Sequence, residues 1–228
     1  VGSHATYLVG GRLVRVVPFL KEPSGIDLWT PIASLLREFR PTVEAYPTRP
    51  GFLAADPNRV AYWRGLLDKA PPGPKVGLLW KSAVTRDSRH RWFSPFALWE
   101  PILAQPGVTF VNLQYGDCSE EIAFVKATWG VDVWSPPGID LKQDLDDVAA
   151  LSSAMDLVLG FSNATLNIAA ACGAPCWLIG APGAWTALGT DRYPWYPQVR
   201  TFRPATLGDW ASTMGSVAQG LAAFVAER

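Results

Sequence analysis

The sequence predicts an α/β fold in which helices cover both faces of a parallel sheet. From residue 75 onward, short apolar runs typical of buried strands alternate with segments of helical periodicity. Strands that alternate with helices form right-handed βαβ units, and these units build parallel sheets. Hydrophobic residues make up 49% of the 228 residues and charged residues 18%, so the chain can bury a sizeable core.

The first 70 residues are predicted to form a partial N-terminal lobe and a linker. Residues 7–9 and 13–17 flank Gly10-Gly11, a pattern that predicts a short hairpin. Frequent prolines then interrupt regular structure, apart from a short helix that the spacing of apolar residues predicts over 32–38.

A longer helix is predicted from Asp56-Pro57 to about residue 69. Aspartate caps the first turn of a helix, and proline suits the first helical position because that N–H needs no partner. The proline-rich run 71–74 ends the helix and acts as a stiff linker. We therefore expect one domain over residues 1–70 and a second over residues 71–228.

The second domain contains six predicted strands and five predicted helices. The strands are predicted at 76–80, 108–113, 131–133, 156–159, 176–179 and 199–202, and those at 76–80 and 156–159 are the most apolar. The helices are expected at 95–103, 120–128, 144–154, 165–172 and 209–226. Acidic residues in the first turn favour the helix at 144–154. Gly173 is a typical residue to follow the C-terminus of the helix at 165–172. This order predicts a Rossmann-like domain.

The composition excludes several classes of partner. Lys+Arg and Asp+Glu both number 20, so a net charge of zero gives no electrostatic case for nucleic acid or an anionic membrane. No apolar run approaches the roughly 18 residues of a membrane span, and no signal peptide opens the chain. The three cysteines (Cys118, Cys172 and Cys176) are too sparse for a disulfide framework and fit a cytoplasmic location.

The motifs predict neither a metal site nor a bound cofactor. The first strand of the second domain lacks the G-x-G-x-x-G fingerprint of nicotinamide and flavin enzymes, and the chain has no G-x-x-x-x-G-K-[ST] phosphate loop. His4 and His90 are its only histidines, and the cysteines lack zinc spacing. No G-x-S-x-G elbow marks a hydrolase.

The loop after the first strand of the second domain is a candidate anion site. In open parallel sheets, ligands bind beyond the carboxyl ends of the strands. This loop is basic and contains Lys81, Ser82, Arg89 and Arg91, a set that suits a phosphate or a carboxylate. The alternative is a solvated, charge-rich surface loop.

The loop after the fourth strand of that domain begins a helix and is a second candidate. Ser162, Asn163, Ala164 and Thr165 place small side chains around the exposed backbone N–H groups of the helix start. Such a start binds anions, and three of these side chains add polar groups. The alternative is an ordinary N-cap by Ser162 or Asn163.

Aromatic and amide residues follow two further strands. Gln114, Tyr115 and Gly116 come after the second strand of the domain, where an amide and a ring can contact a nucleobase; the alternative is a turn. Trp185 opens a stretch of aromatic, acidic and basic residues after the fifth strand, which suits a sugar or nucleotide cleft. The alternative there is a structural loop held together by its aromatic residues and prolines.

Several segments occur in an order that resembles a known family. They are GIDLW (25–29), AAD (54–56), VGLLWKS (76–82), the Arg89/Arg91 pair, FVNLQYG (110–116), 156–177 and 185–197. Together they resemble the C-terminal catalytic region of bacterial tetratricopeptide-repeat glycosyltransferases, with the greatest similarity to flagellin-modifying members from alphaproteobacteria. The resemblance covers roughly residues 25–212.

The resemblance implies a GT-B-like architecture, in which two Rossmann-like lobes enclose a nucleotide-sugar. It also implies transfer of a sugar to Ser or Thr of a protein acceptor such as flagellin. The sugar would be a nonulosonic acid such as pseudaminic acid, supplied in its CMP-linked form. Lys81, Arg89 and Arg91 suit the phosphate and carboxylate of such a donor, or equally a diphosphate.

The chain also departs from the family. Members that transfer other sugars tend to have an aspartate and a histidine in the loop that here reads SNATLN (162–167), and this less acidic loop is compatible with an anionic donor. Whole members carry an N-terminal repeat domain, whereas this sequence contains no 34-residue repeat.

Glycosyl transfer requires stabilisation of the leaving phosphate and, in an inverting reaction, a base for the acceptor hydroxyl. Asp27, Asp87 and His90 are the candidate bases. The acidic pair Asp146-Asp147 falls within a helix rather than at a strand end, so we expect metal-independent transfer. The alternatives are a non-catalytic module that binds a nucleotide-sugar or a protein, and an epimerase or hydrolase of the nucleotide-sugar.

Overall fold

The computed structural model describes residues 5–9, 12–16, 25, 27–82 and 91–228. The chain divides into two compact units, Val1–Ala45 and Tyr46–Arg228. In the first unit, β1 (Ala5–Val9) and β2 (Arg12–Val16) form the predicted antiparallel hairpin. A 3₁₀ turn then leads into the short helix α1 (Leu35–Phe39).

The second unit is built on a six-stranded parallel sheet, as predicted. Its strands are β3 (Lys75–Leu79), β4 (Thr109–Asn112), β5 (Val133–Trp134), β6 (Leu157–Phe161), β7 (Cys176–Ile179) and β8 (Val199–Phe202). Its helices are α2 (Pro57–Leu67), α3 (Glu100–Leu103), α4 (Ser119–Trp129), α5 (Leu145–Ser153), α6 (Ala164–Ala171) and α7 (Trp210–Ala226).

Helix α2 belongs to the unit that contains the sheet, although the sequence places residues 46–70 with the N-terminal lobe. The helix begins where predicted, because the Asp56 carboxylate accepts hydrogen bonds from the N–H groups of Asn58 at 2.8 Å and Arg59 at 3.2 Å. Trp63 is buried, and its Nε1 donates to Asp147 of α5 at 3.1 Å. The proline-rich run 71–74 therefore connects two elements of one compact unit.

The predicted helix over 95–103 is shorter than expected. Residues 96–99 form a 3₁₀ turn, and the α-helix begins only at Glu100. Pro101 explains the late start, because a residue without an N–H is tolerated only in the first turn of an α-helix.

The strand order of the sheet reverses between β3 and β6. The order is β5-β4-β3-β6-β7-β8, so the chain builds outward from β3 to β5, returns to the centre, and builds outward again from β6 to β8. The two central strands pair from Val76 with Leu157 to Leu79 with Gly160. In open α/β sheets, ligands bind at such a reversal, beyond the carboxyl ends of the strands.

Alternate residues of the strands face two separate cores. Val76 and Leu78 pack in one core with α3, α4 and α7, whereas Leu79 packs in the other with α2, α5 and α6. Successive side chains of a strand point to opposite faces, so a continuous apolar run buries both. The α/β fold with helices on both faces is therefore confirmed.

Candidate functional site

Two of the predicted loops come together at the reversal of the sheet. Because Leu79 pairs with Gly160, the loop that contains Lys81 and Ser82 lies beside the loop that begins at Ser162. The third predicted loop, 114–116, follows β4 on the other side of β3. The parallel sheet thus places all three loops along one edge.

The Gln114 side chain joins the ends of β3 and β4. It is 1% exposed, and its Oε1 accepts hydrogen bonds from the backbone N–H groups of Trp80 and Lys81, both at 3.0 Å. Its Nε2 donates to the Tyr115 carbonyl at 3.0 Å. A contact between this amide and a nucleobase would require these bonds to be exchanged, so the structure gives Gln114 a supporting role at the loop. Tyr115 is half-buried and Gly116 is exposed.

The Lys81 ammonium is held by the start of α4. Its Nζ donates to the Asp117 carbonyl at 2.8 Å and forms an ion pair with Glu121. Hydrogen bonds from the hydroxyl and N–H of Ser119 lower the pKa of the Asp117 carboxyl, and the nearby Lys81 charge lowers it further. The Lys81 charge is therefore partly neutralised by its own protein.

The start of α6 is open to solvent and capped by Asn163. The Asn163 Oδ1 accepts a hydrogen bond from the Leu166 N–H at 3.0 Å, so the N-cap interpretation is correct for this atom. The helix geometry leaves the N–H groups of Ala164 and Thr165 without an intrahelical acceptor. Ala164 is exposed and Thr165 is buried.

The amide nitrogen of Asn163 adds a donor to this helix start. Its Nδ2 is shielded from solvent and has no hydrogen-bond partner within the described residues. A shielded donor without an acceptor costs free energy, so such an atom in a folded protein commonly serves a ligand or a water. Nearby, Asn167 Nδ2 donates to the Asn163 carbonyl at 2.7 Å, and the Tyr193 hydroxyl donates to Asn167 Oδ1 at 3.0 Å. These bonds hold the first turn in place.

A cavity of about 160 Å³ adjoins the helix start. Rings of Trp92, Phe93 and Phe161 line it together with Ser162 and Arg203. Arg203 follows β8 and does not belong to the predicted site. The signal that pointed to the other strand ends, a polar residue directly after an apolar run, is weak at Arg203, because the strand before it reads VRTF and contains Arg200 and Thr201.

Trp185 lies in the long connection between β7 and β8. It is 73% exposed, and its ring contacts Trp195 edge-on at a centroid distance of 6.0 Å. Trp195 Nε1 donates to the Thr186 carbonyl at 2.9 Å, and Leu188 adopts a left-handed φ of 51°. The connection is thus held by its aromatic residues, and most of the Trp185 side chain remains exposed.

The contacts given above do not include the remaining predicted site residues. Asp87, Arg89 and His90 lie outside the described residues. Arg91 is exposed at the start of the described part of its loop. Ser82 follows Lys81 and is half-buried. Asp27 is exposed in the first compact unit, so its position relative to the sheet stays a prediction.

The described ranges lack two further features. They contain no cluster of three His, Cys, Asp or Glu side chains that could hold a metal ion. Within the same part of the chain, no helix has both the length and the apolar character needed to cross a membrane.

The sequence is similar to that of a bacterial protein from Caulobacter. Protein FlbA of Caulobacter vibrioides (strain ATCC 19089 / CIP 103742 / CB 15) is 54% identical over 226 residues. The alignment covers 99% of this chain and 38% of FlbA, so the chain spans well under half the length of that relative. No protein-family model matches the chain.

Two solved glycosyltransferase structures share the fold. The glycosyl transferase family 9 protein from Veillonella parvula DSM 2008 aligns with a TM-score of 0.55 and 11% identity, over 86% of this chain and 59% of that chain. The E. coli ADP-heptose lps heptosyltransferase II aligns with a TM-score of 0.54 and 14% identity, over 83% of this chain and 58% of that chain. This chain therefore has the GT-B-like α/β fold that the sequence predicts.

Proposed function

We propose that this chain is the nucleotide-sugar-binding part of a glycosyltransferase. The observation that carries the proposal is the start of α6 at the reversal of the sheet, with the unpartnered Asn163 amide beside free backbone N–H groups. A helix start with such donors binds a phosphate group, and the reversal is where α/β sheets hold nucleotides. The GT-B-like fold shared with two solved glycosyltransferase structures supports the proposal.

The donors at α6 would stabilise the leaving phosphate during transfer. Charge develops on that phosphate as the glycosidic bond breaks, and fixed N–H dipoles stabilise it without reorganising. Lys81, Ser82, Arg89 and Arg91 would add to this field from the neighbouring loop. We propose that these groups suffice without a metal ion, because cationic side chains can take the role that a divalent ion has in other transferases.

The donor that we propose is a CMP-linked nonulosonic acid such as pseudaminic acid, and the acceptor is Ser or Thr of a protein such as flagellin. The family resemblance supports both choices, as does the absence of a carboxylate from the SNAT sequence at 162–165. An acidic side chain there would repel an anionic donor. The tetratricopeptide repeats of that family would present the acceptor, and the reaction would take place in the cytoplasm.

We assign Tyr115, Gly116 and Trp185 to the nucleoside and sugar side of the donor, and Gln114 to the support of their loop. The exposed Trp185 ring offers a flat surface for stacking, and half-buried Tyr115 lies next to the supporting amide of Gln114. The acceptor base would be Asp27, Asp87 or His90, since each can take a proton from a hydroxyl group.

Calorimetric titration of the chain with CMP, CDP, UDP, GDP and ADP, with and without Mg²⁺, tests the proposal. We expect micromolar binding of CMP that Mg²⁺ leaves unchanged. Tighter binding of UDP, GDP or ADP would retain a nucleotide-sugar enzyme and overturn the proposed donor. Absence of binding by all five would overturn the proposal. In a separate product analysis with a nucleotide-sugar and no protein acceptor, rapid formation of free sugar or an epimer would favour a hydrolase or epimerase.

The variant Asn163→Asp tests the site itself. Aspartate keeps the capping oxygen but replaces the unpartnered amide with a negative charge, so CMP affinity should fall about tenfold or more while the fold is retained. The matched control is Asn58→Asp, which makes the same change at an exposed position in the first turn of α2. Equal CMP affinity in the two variants would contradict the assignment of α6 as the phosphate site.

A further inference from the structure

Arg203 lies beside the proposed phosphate site and has an unusual environment. It follows the edge strand β8 and lines the same cavity as Ser162, the residue that precedes the cap of α6. Most of the cavity wall is apolar, with the rings of Trp92, Phe93 and Phe161 on it. Among the described residues that line it, the cavity is therefore mostly apolar, with Arg203 as its one cationic side chain.

The Arg203 guanidinium is only partly satisfied by the protein. Its Nη1 donates to the Thr190 carbonyl at 3.0 Å and its Nη2 to the Arg192 carbonyl at 2.8 Å. A guanidinium has five N–H donors, so these two bonds leave other N–H groups available to a ligand. No carboxylate of the described ranges lies within ion-pair distance of it. Burial lowers the pKa of the Arg203 guanidinium, and the charge of nearby Asp191, which is not within ion-pair distance, raises it by a smaller amount.

We propose that Arg203 binds the carboxylate of an acidic sugar donor and thereby selects for it. The proposal rests on the proposed function, since it adds a second anion subsite next to the phosphate site at α6. Arginine forms paired hydrogen bonds with a carboxylate, and a partly buried guanidinium without an acidic partner gains most from one.

The position of the cavity agrees with the chemistry of the donor. In a nucleotide-linked nonulosonic acid, the anomeric carbon carries both the carboxylate and the oxygen that leads to the phosphate. The two anions must therefore be bound close together, as they would be by Arg203 and the start of α6, which share the Ser162 wall. The apolar rings around the cavity would pack against the acyl methyl groups of such a sugar.

Arg203 also has a structural contribution that the test must separate. Its two bonds to carbonyls attach the loop at 190–192 to the end of β8. Loss of that attachment alone would weaken all ligands that contact the loop by a similar factor. Recognition of a carboxylate would instead change only the preference between ligands that differ in that group.

The experiment measures Kd by calorimetry for CMP, CMP-N-acetylneuraminate and the methyl ester of CMP-N-acetylneuraminate. The proteins are the unmodified chain, Arg203→Gln and the control Arg200→Gln. Arg200 lies on the same strand, with its guanidinium over the rings of Trp177 at 5.0 Å and Phe202 at 4.6 Å. The unmodified chain and the control should bind the acid about 10- to 100-fold more tightly than the ester.

In Arg203→Gln, this preference for the acid should disappear while CMP affinity changes by less than about threefold. If the variant retains the preference, Arg203 does not bind the carboxylate, and the proposal is overturned even though nucleotide binding persists. Equal affinity of the unmodified chain for acid and ester would also overturn it. Failure of the unmodified chain to bind CMP would instead overturn the proposed CMP-linked donor and this subsite with it.

Discussion

Replacement of Gly160 by alanine should destabilise the sheet at its reversal. A Cβ atom at Gly160 would lie 2.1 Å from the Leu79 carbonyl oxygen and 2.5 Å from the Leu79 Cβ. Both contacts are far inside van der Waals distance, and the obstacle is the backbone of the paired strand β3, which cannot rotate away. Overpacking of a core costs about 1–3 kcal/mol, and we expect the upper end here because β3 and β6 must separate.

Thermal unfolding followed by circular dichroism measures the effect. A loss of about 3 kcal/mol corresponds to a decrease in Tm of about 6–12 °C for a chain of this size. Gly77→Ala is a graded comparison, because its Cβ would lie 2.3 Å from the movable Leu113 Cδ1, and it should cost less. Gly65→Ala in α2 meets no heavy atom within 4 Å and should stabilise the helix by about 0.5–1 kcal/mol.

The order of these three variants is the critical result. If the Tm of Gly160→Ala lies within about 2 °C of the Tm of the unmodified chain, or above the Tm of Gly77→Ala, β3 and β6 do not approach each other as closely as described. The same outcome would remove the reason to place the loops after β3 and β6 side by side.

Three further predictions concern charge, pH and the exposed ring. Glu121→Gln frees the Lys81 ammonium and should tighten CMP binding about two- to fivefold by calorimetry, whereas Asp132→Asn, which frees Lys126, should not. Burial raises the pKa of the Cys176 thiol from 9.0 to about 12, so the unfolded chain loses this proton first. The free energy of unfolding, measured by urea titration, should therefore fall by about 1.4 kcal/mol between pH 8 and pH 10 because of this thiol. The Cys176→Ala variant should lack that part of the decrease. An equal decrease in the variant and the unmodified chain would contradict the prediction. Trp185→Ala should leave the free energy of unfolding within about 0.5 kcal/mol and weaken donor binding about tenfold; equal binding would remove Trp185 from the site.

Much of the geometry of the candidate site could be predicted, because the end of a buried strand can be recognised in a sequence. An apolar run followed at once by Lys81 or by Ser162 indicates a buried strand that opens into a polar loop. In a parallel sheet such loops share one edge, so their proximity follows from the fold class. The capping hydrogen bond of Asn163 could also be predicted from the sequence, because it joins residues only three positions apart.

Other features depend on neighbours that are distant in the chain. The ion pair between Lys81 and Glu121 joins residues 40 positions apart, and it requires α4 to begin beside the end of β3. The Gln114 amide bonds the backbone of a neighbouring strand, so its side chain is already occupied. Neither arrangement has a signature in residue spacing.

The sequence by itself determined the fold class, the order of strands and helices along the chain, and the loops that carry polar residues. These properties follow from local patterns of apolar residues and from capping residues, which act over a few positions. Tertiary structure alone decided that β6 pairs with β3, that α2 packs on the sheet, and that Arg203 shares a cavity with Ser162. Those facts depend on which faces bury one another, and burial is a property of the whole packed chain rather than of any one segment.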